Sequence, residues 1–338
     1  MEYLILIIQF VLFFLIRINK NKNKKIYSFI LLLVFSILVL YSGFREFILP
    51  ENKIGKDYFQ YKFWFFSKNN INITEYSNIG FILLIKILNS LNLNYISLFF
   101  VSSFIIILGV YNFIIKNSKY YEISIYIYIT LGLLLSGFNV IRQWMACSIF
   151  LIAWEFIKKR DFKRYFIYIL IASLFHASAL FLLLVYPMLN CNFKFKKRII
   201  IILILTMLMM SSEFTLELLS KASIIDSRVY NRYASGMISS QFNYTIFCIS
   251  MMNLAIILCN FKKYKTQNQY WNMELNYLLL LCAFAFVAPT HIIYSRAIIY
   301  FMPALLITIP KILDLVQAQS RKLIYFCMLI VFIIPYIS

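Results

Sequence analysis

Apolar runs recur along the whole chain, parted by short loops dense in lysine and arginine, and that alternation leaves few architectures open. Crossing ~30 Å of hydrocarbon takes about 20 predominantly apolar residues in a helix. Runs approaching or reaching that scale occupy residues 2–17, 26–43, 78–91, 95–115, 120–138, 141–157, 165–189, 199–212, 243–260, 274–290, 297–310 and 323–337. With 62% of residues hydrophobic and only 14% charged, a soluble protein is excluded. The fold class is all-α, a polytopic membrane protein forming one transmembrane domain over residues 1–338. The first run follows Glu2 and precedes a basic cluster, without a basic leader or small-residue cleavage site, so it reads as a retained helix.

A net charge of +20 would suggest nucleic acid for a soluble chain. Here the basic residues crowd into the loops 17–25, 116–119, 158–164, 190–198, 261–265 and 311–322, the positive-inside pattern of membrane topology. No nucleic-acid partner is expected. The six cysteines lack paired spacing, which argues against a disulfide framework or metal site. Two longer polar segments, 44–75 and 213–242, read as outer loops. Within the first, Tyr58 to Phe66 is aromatic with polar interruptions, as suits a helix lying in the membrane interface.

If every run crossed, the basic loop 158–164 would fall opposite the other strong basic loops. Treating 78–91 and 165–189 as partial or re-entrant elements returns all six loops to the cytoplasmic side. The sequence therefore predicts about ten full transmembrane helices plus two partial elements, with both termini outside. Each half of 165–189 is about eleven or twelve residues, ~17 Å of helix and half the hydrocarbon thickness. A re-entrant turn needs protein or water around it. Polar residues then gather on the outer side: Arg45, Asp57, Arg142, His176 at a hairpin tip, Arg228, Arg232, and His291 with Arg296.

Ionisable groups inside apolar segments are costly and usually face a bundle interior or wet cavity. Arg142, between Asn139 and Gln143, offers a planar fork of donors suited to phosphate oxygens; an interfacial arginine that snorkels is the plainer alternative. His176 titrates near neutrality and could take a proton from a sugar hydroxyl, or simply pack and hydrogen-bond. Arg296 is a second phosphate candidate, with a boundary arginine as its rival. The cluster Arg228, Arg232 and Tyr233 could grip an anion or stack on sugars, yet also suits a solvated loop. Asp57 is a candidate base or turn residue, and Glu75 is explained as a helix cap. The chain has only seven glycines and no glycine-rich phosphate loop. It also lacks metal-ligand spacing and an Asp-x-Asp pair, so no metal or cofactor is expected. Arginines without a metal point to stabilising a diphosphate leaving group.

The run Asn139-x-Ile141-Arg142-Gln143 and the later Ala172-x-x-Phe175-His176-x-Ser178-Ala179, closed by Tyr186-Pro187, resemble the EpsG family. Tyr41-Ser-Gly-Phe-Arg45, Gly55-x-Asp57-x-x-x-Tyr61 and Glu75-x-x-Asn78-x-Gly80-Phe81 look like its N-terminal third. Ser295-Arg296-x-x-x-Tyr300-Phe301 looks like its C-terminal arginine segment. The likeness runs over roughly residues 40–305 and is strongest over 139–187.

The resemblance implies a Wzy-like polymerase of bacterial surface glycans, with a GT-C-like glycosyltransferase architecture open to it. Its donor and acceptor would be undecaprenyl-diphosphate-linked glycans, joined at the outer face of the inner membrane, with a chain-length regulator as a further partner. By resemblance Arg142 and His176 lead the site, followed by Arg45, Asp57 and Arg296. The arginines are assigned to the lipid diphosphate, and His176 or Asp57 to deprotonating the acceptor hydroxyl. Asn139, Gln143, Arg228, Arg232, Tyr233 and Tyr300 form a wider substrate-binding set. A lipid-linked-oligosaccharide flippase and a membrane glycan acyltransferase are the competing classes. A transporter should show matched repeats, and none is evident.

Overall fold

The ionisable residues above are placed by a frame made only of helices and turns among the described residues. A computed structural model of the full chain describes residues 24–49, 54–55, 57–67, 79–191, 244–289 and 292–337. The runs 2–17 and 199–212, the whole second outer loop 213–242, Glu75 and His291 lie outside them. Three described helices are long and apolar enough to cross a membrane: Lys25–Gly43, Ile96–Asn117 and Tyr294–Leu315. Two bent pairs bring the number to five if each is one span. Tyr121–Thr130 with Leu133–Asn139 bends by 48°, and Tyr244–Cys259 with Phe261–Gln267 by 86°.

The chain falls into two compact units, Met1–Tyr186 with Gln319–Ser338, and Pro187–Ala318. In the first unit the helices are α1 (Lys24–Gly43), α2 (Arg45–Ile48), α3 (Tyr58–Phe66), α4 (Ile79–Ser90), α5 (Ile96–Asn117), α6 (Tyr121–Thr130), α7 (Leu133–Asn139), α8 (Ile141–Lys158) and α9 (Phe162–Phe175). A 3-10 helix, Ala177–Phe181, leads into α10 (Leu182–Asn190), within which the unit boundary falls.

Helix α8 is the core of this unit, packed against both α5 and α9. Trp144 and Trp154 are fully buried on it. Its approach to α5 is close because Gly109 has no side chain: a Cβ there would lie 2.5 Å from Ser148 Cβ. Ser148, an otherwise unwelcome hydroxyl in an apolar contact, donates to the Ile106 carbonyl at 2.9 Å. The short basic turn after α8 closes through Arg160 in the left-handed region, φ 55°. Asp161 then caps α9 by accepting from the Arg164 amide at 3.1 Å.

The segment 165–189 runs in and comes back, as a hairpin. Tyr165 Oη donates to the Leu182 carbonyl at 2.6 Å, and the Tyr186 ring lies 5.0 Å from both Phe162 and Tyr165. The end of the segment thus meets its beginning. Helix α4 is short as well, 12 residues, or ~18 Å, well under the hydrocarbon thickness. It packs on α9 where Gly80 meets the Leu174 backbone.

The second unit contains α11 (Tyr244–Cys259), α12 (Phe261–Gln267), α13 (Trp271–Val287), α14 (Ile292–Ala297), the 3-10 helix Ile298–Tyr300, α15 (Ala304–Thr308) and α16 (Ile312–Leu315). Helix α17 (Arg321–Ile337) belongs to the first unit, where Tyr126 Oη donates to the Leu329 carbonyl at 2.5 Å. Helix α13 is buried along most of its length. Its Glu274 carboxylate is enclosed, yet takes Lys311 Nζ at 2.5 Å, Tyr264 Oη at 3.0 Å and Asn268 Nδ2 at 2.6 Å. Such a buried ion pair is held by its full set of donors, not by charge attraction alone.

Candidate functional site

Helix α3 begins at Asp57, and the turn before it fixes where that carboxylate sits. Gly55 adopts φ 112° and lies against the chain at Phe138 and Asn139: a Cβ would stand 2.6 Å from the Phe138 carbonyl oxygen. Only glycine meets both demands. The outer segment is thereby seated beside the start of α8, bringing Asp57 toward Asn139 and Arg142.

The spacing of α3 then sorts its aromatic rings. Tyr58, Tyr61 and Phe65 fall on one face and are buried, while Phe59, Phe63 and Phe66 are exposed on the other by 56%, 69% and 59%. The aromatic segment expected to lie in the membrane interface is thus a helix with one buried and one exposed face. Trp64, at the edge of the buried face, lies under the Arg142 guanidinium, with Cζ 4.9 Å from the ring centroid. Arg142 also hydrogen-bonds Tyr61. Burial pushes the Tyr61 phenol up; Arg142 opposes the rise and nearby Asp57 adds to it. Arg142, Tyr61 and Asp57 therefore form one electrostatic group, and Gln143, next in α8, is buried.

Arg45 is close at hand but enclosed. It is 2% exposed, with its Cζ 4.7 Å from the Phe99 and Phe138 rings and 5.5 Å from Tyr58. Nη1 reaches the Ser42 carbonyl at 3.5 Å, and neither Nε nor Nη2 finds a hydrogen-bond partner within the protein. Burial lowers the guanidinium to about 10, against the opposing pull of Tyr58 and Tyr61, so it stays charged at neutral pH. A ligand reaches this cation only if the aromatic box opens.

The neighbouring Glu46 latches α2 to α3. It accepts from Lys62 Nζ at 2.7 Å and Tyr95 Oη at 2.7 Å. Burial alone would raise this carboxyl, but hydrogen bonds from Lys62, Tyr58 and Tyr95 outweigh it and hold the group below the usual range. The latch and Trp64 were not singled out from sequence, and Tyr61 entered only as the last residue of the Gly55-x-Asp57-x-x-x-Tyr61 pattern. The available signal was the spacing of Asp57, Tyr61, Trp64 and Phe65, which share a helical face.

His176 stands at the tip of the hairpin, half-buried, with extended backbone at φ −154°. Its Nδ1 accepts from the Ser178 amide at 3.3 Å and lies 2.6 Å from Ser178 Oγ. Because α8 and α9 are joined by a tight turn and run antiparallel, His176 lies at the same end of that pair as Arg142.

In the second unit Arg296 is exposed in the last turn of α14. Tyr300 is buried, and its carbonyl accepts from Tyr277 Oη at 2.6 Å. The Tyr300 ring therefore belongs to the packed interior. Arg228, Arg232 and Tyr233 lie outside the described residues.

Of the expected site residues, the first unit gathers Asp57, Asn139 and Arg142 around the start of α3, with Arg45 boxed against Tyr58 and Phe138 and Gln143 buried on α8. Comparison with known proteins gives one result: the model of the EpsG family matches residues 47–338, most of the chain. No curated protein and no solved structure matches it.

Proposed function

The chain belongs to the EpsG family, a family of Wzy-like polysaccharide polymerases, and on that premise we propose that it joins undecaprenyl-diphosphate-linked repeat units at the outer face of the bacterial inner membrane. The product is O antigen, capsule or exopolysaccharide. The growing glycan is the donor and a new lipid-linked repeat is the acceptor. In the step, an acceptor hydroxyl oxygen attacks the anomeric carbon of the donor. The carbon–oxygen bond to the diphosphate breaks, its electron pair leaves with the lipid diphosphate, and the hydroxyl proton passes to Asp57 or His176.

The observation that carries this reading is the grouping of Arg142, Tyr61 and Asp57 at the start of α8. It sets an anion-binding fork beside a carboxylate that can serve as base. Arg142 grips the diphosphate, joined by Arg45 when its aromatic box opens, and Arg296 is a further candidate for the same chemistry. Asn139 and Gln143 flank that arginine as glycan contacts, and Arg228, Arg232 and Tyr233 are further glycan-binding candidates, whereas the buried Tyr300 ring serves packing. The reaction needs no metal in this scheme, since arginines neutralise the leaving group. About ten full spans and the two partial elements 78–91 and 165–189 make up the membrane domain, in a GT-C-like arrangement.

Deleting the gene and resolving surface polysaccharide on a gel tests the assignment. Loss of long chains with single repeat units retained is the expected result. Loss of every surface repeat overturns it in favour of a flippase or an earlier step. Unchanged chains that lack a substituent point instead to an acyltransferase.

A further inference from the structure

The hairpin tip determines which nitrogen of His176 carries the proton, and with it what the ring can do. The Ser178 backbone amide donates to Nδ1 at 3.3 Å. An amide nitrogen in the chain can only donate, so this contact favours the tautomer in which Nδ1 is unprotonated and Nε2 holds the hydrogen. Ser178 Oγ, 2.6 Å from Nδ1, can direct its own hydrogen to the same lone pair. A general base needs a free lone pair, and the one on this imidazole is already engaged by its own helix start.

The choice of residue type adds weight. At position 176 the backbone is that of a helix N-cap, with the side chain accepting from the amide two residues on. Asn, Asp, Ser or Thr ordinarily do this work with a single oxygen. Histidine also does it, and differs by carrying a second nitrogen that can donate a hydrogen bond.

We propose that the Ser178 amide fixes His176 as an Nε2–H donor, which hydrogen-bonds the diphosphate oxygens of the leaving lipid carrier and does not deprotonate the acceptor. This rests on the polymerase reading above and divides its labour: the acceptor proton goes to the Asp57 carboxylate. The new glycosidic bond forms from the acceptor oxygen, the bonding pair to the diphosphate departs with it, and His176 exchanges no proton. The placement agrees, since His176 and Arg142 share one end of the α8–α9 pair. Two donors, a guanidinium fork and an imidazole N–H, then address the developing charge together.

Two substitutions separate donor from base. In His176→Gln, an amide N–H reaches near the position of Nε2 but can take no proton. In His176→Asn, the shorter amide can satisfy the Ser178 cap but reaches no farther. Variants are expressed at equal levels in cells lacking the chromosomal copy, and polymer is measured on gels. His176→Gln should keep long chains at reduced amount. His176→Asn should lose them, by on the order of a hundredfold, the scale of one missing transition-state donor. Equal loss in both variants, or normal chains in both, overturns the donor role.

Nitrogen-15 NMR of histidine-labelled full-length protein in detergent reads the tautomer without reference to activity. The chain has two histidines, so the signal missing from His176→Asn assigns the ring. A proton on Nε2 is expected, and a proton on Nδ1 overturns the proposal. Failure here leaves the gene-deletion result untouched, whereas failure of the polymerase reading shows there and not in the spectrum.

Discussion

At the scale of single residues, Arg142 is defined by what holds it. The Trp64 ring lies beneath its guanidinium and Tyr61 hydrogen-bonds it, so the fork is oriented before any ligand arrives. A lysine keeps the charge but loses the planar stacking and the paired donors. Arg142→Lys is therefore expected to reduce polymer by roughly tenfold to a hundredfold, as ~1.5–3 kcal/mol for a charged hydrogen bond would give. Gel analysis at matched expression checks this, and normal chain lengths would remove Arg142 from the diphosphate site. Arg45 differs in kind. Its sequence context resembles that of a substrate arginine, yet three rings enclose it. Sequence conveys that a cation is present; it does not convey which rings from α5 and α7 will fold over it.

At the scale of elements, one contact controls how closely α5 meets the core helix. Gly109 sits on Ser148, and any side chain there collides with both its Cβ and its carbonyl oxygen, 2.5 and 2.6 Å from the added atom. Neither helix yields easily, because α8 is also packed against α9. Gly109→Ala should destabilise the protein by ~1–3 kcal/mol, as overpacking of a tight interior does. The measurement is the thermal midpoint of the detergent-solubilised variant, and an unchanged midpoint would show that this approach is not a constraint. Helix α3 shows the complementary case. Its aromatic run with polar interruptions was readable as a helix suited to the membrane interface. That its inner face would carry Trp64 to Arg142 was not, since the partners are 78 residues apart in sequence and no local periodicity links them.

At the scale of the whole molecule, the question is which segments cross the bilayer. The stretch 165–189 returns on itself, Tyr165 meeting Leu182 and Tyr186, and charge parity is the separate reason to expect that it does not cross. If the hairpin is re-entrant, with both ends on one side, the basic turn 158–164 falls with the cytoplasmic loops. Asp161→Cys, in a chain whose six native cysteines are replaced, should react with an impermeant thiol reagent only after the membrane is opened. Modification from the exterior would reverse this topology. The described residues contain three to five helices suited to crossing, so the larger number of spans expected from hydropathy awaits the same labelling at the remaining loops. Apolar runs and spans differ for a physical reason: burial inside a helical bundle and exposure to lipid select the same side chains. Helix α8 illustrates it, being apolar because protein surrounds it.

Composition and the rhythm of apolar and basic segments were enough to establish an all-helical membrane protein, because hydrocarbon accepts little else. Short motifs around Arg142 and His176 were enough to reach the family, since their residue types persist in linear order. Tertiary structure alone decided the environment of each charged group. It boxed Arg45 in aromatic rings, laid Arg142 on Trp64, and turned His176 so that its own hairpin occupies Nδ1. Those outcomes depend on contacts between distant helices and on the direction of individual bonds, and neither is written in the order of the residues.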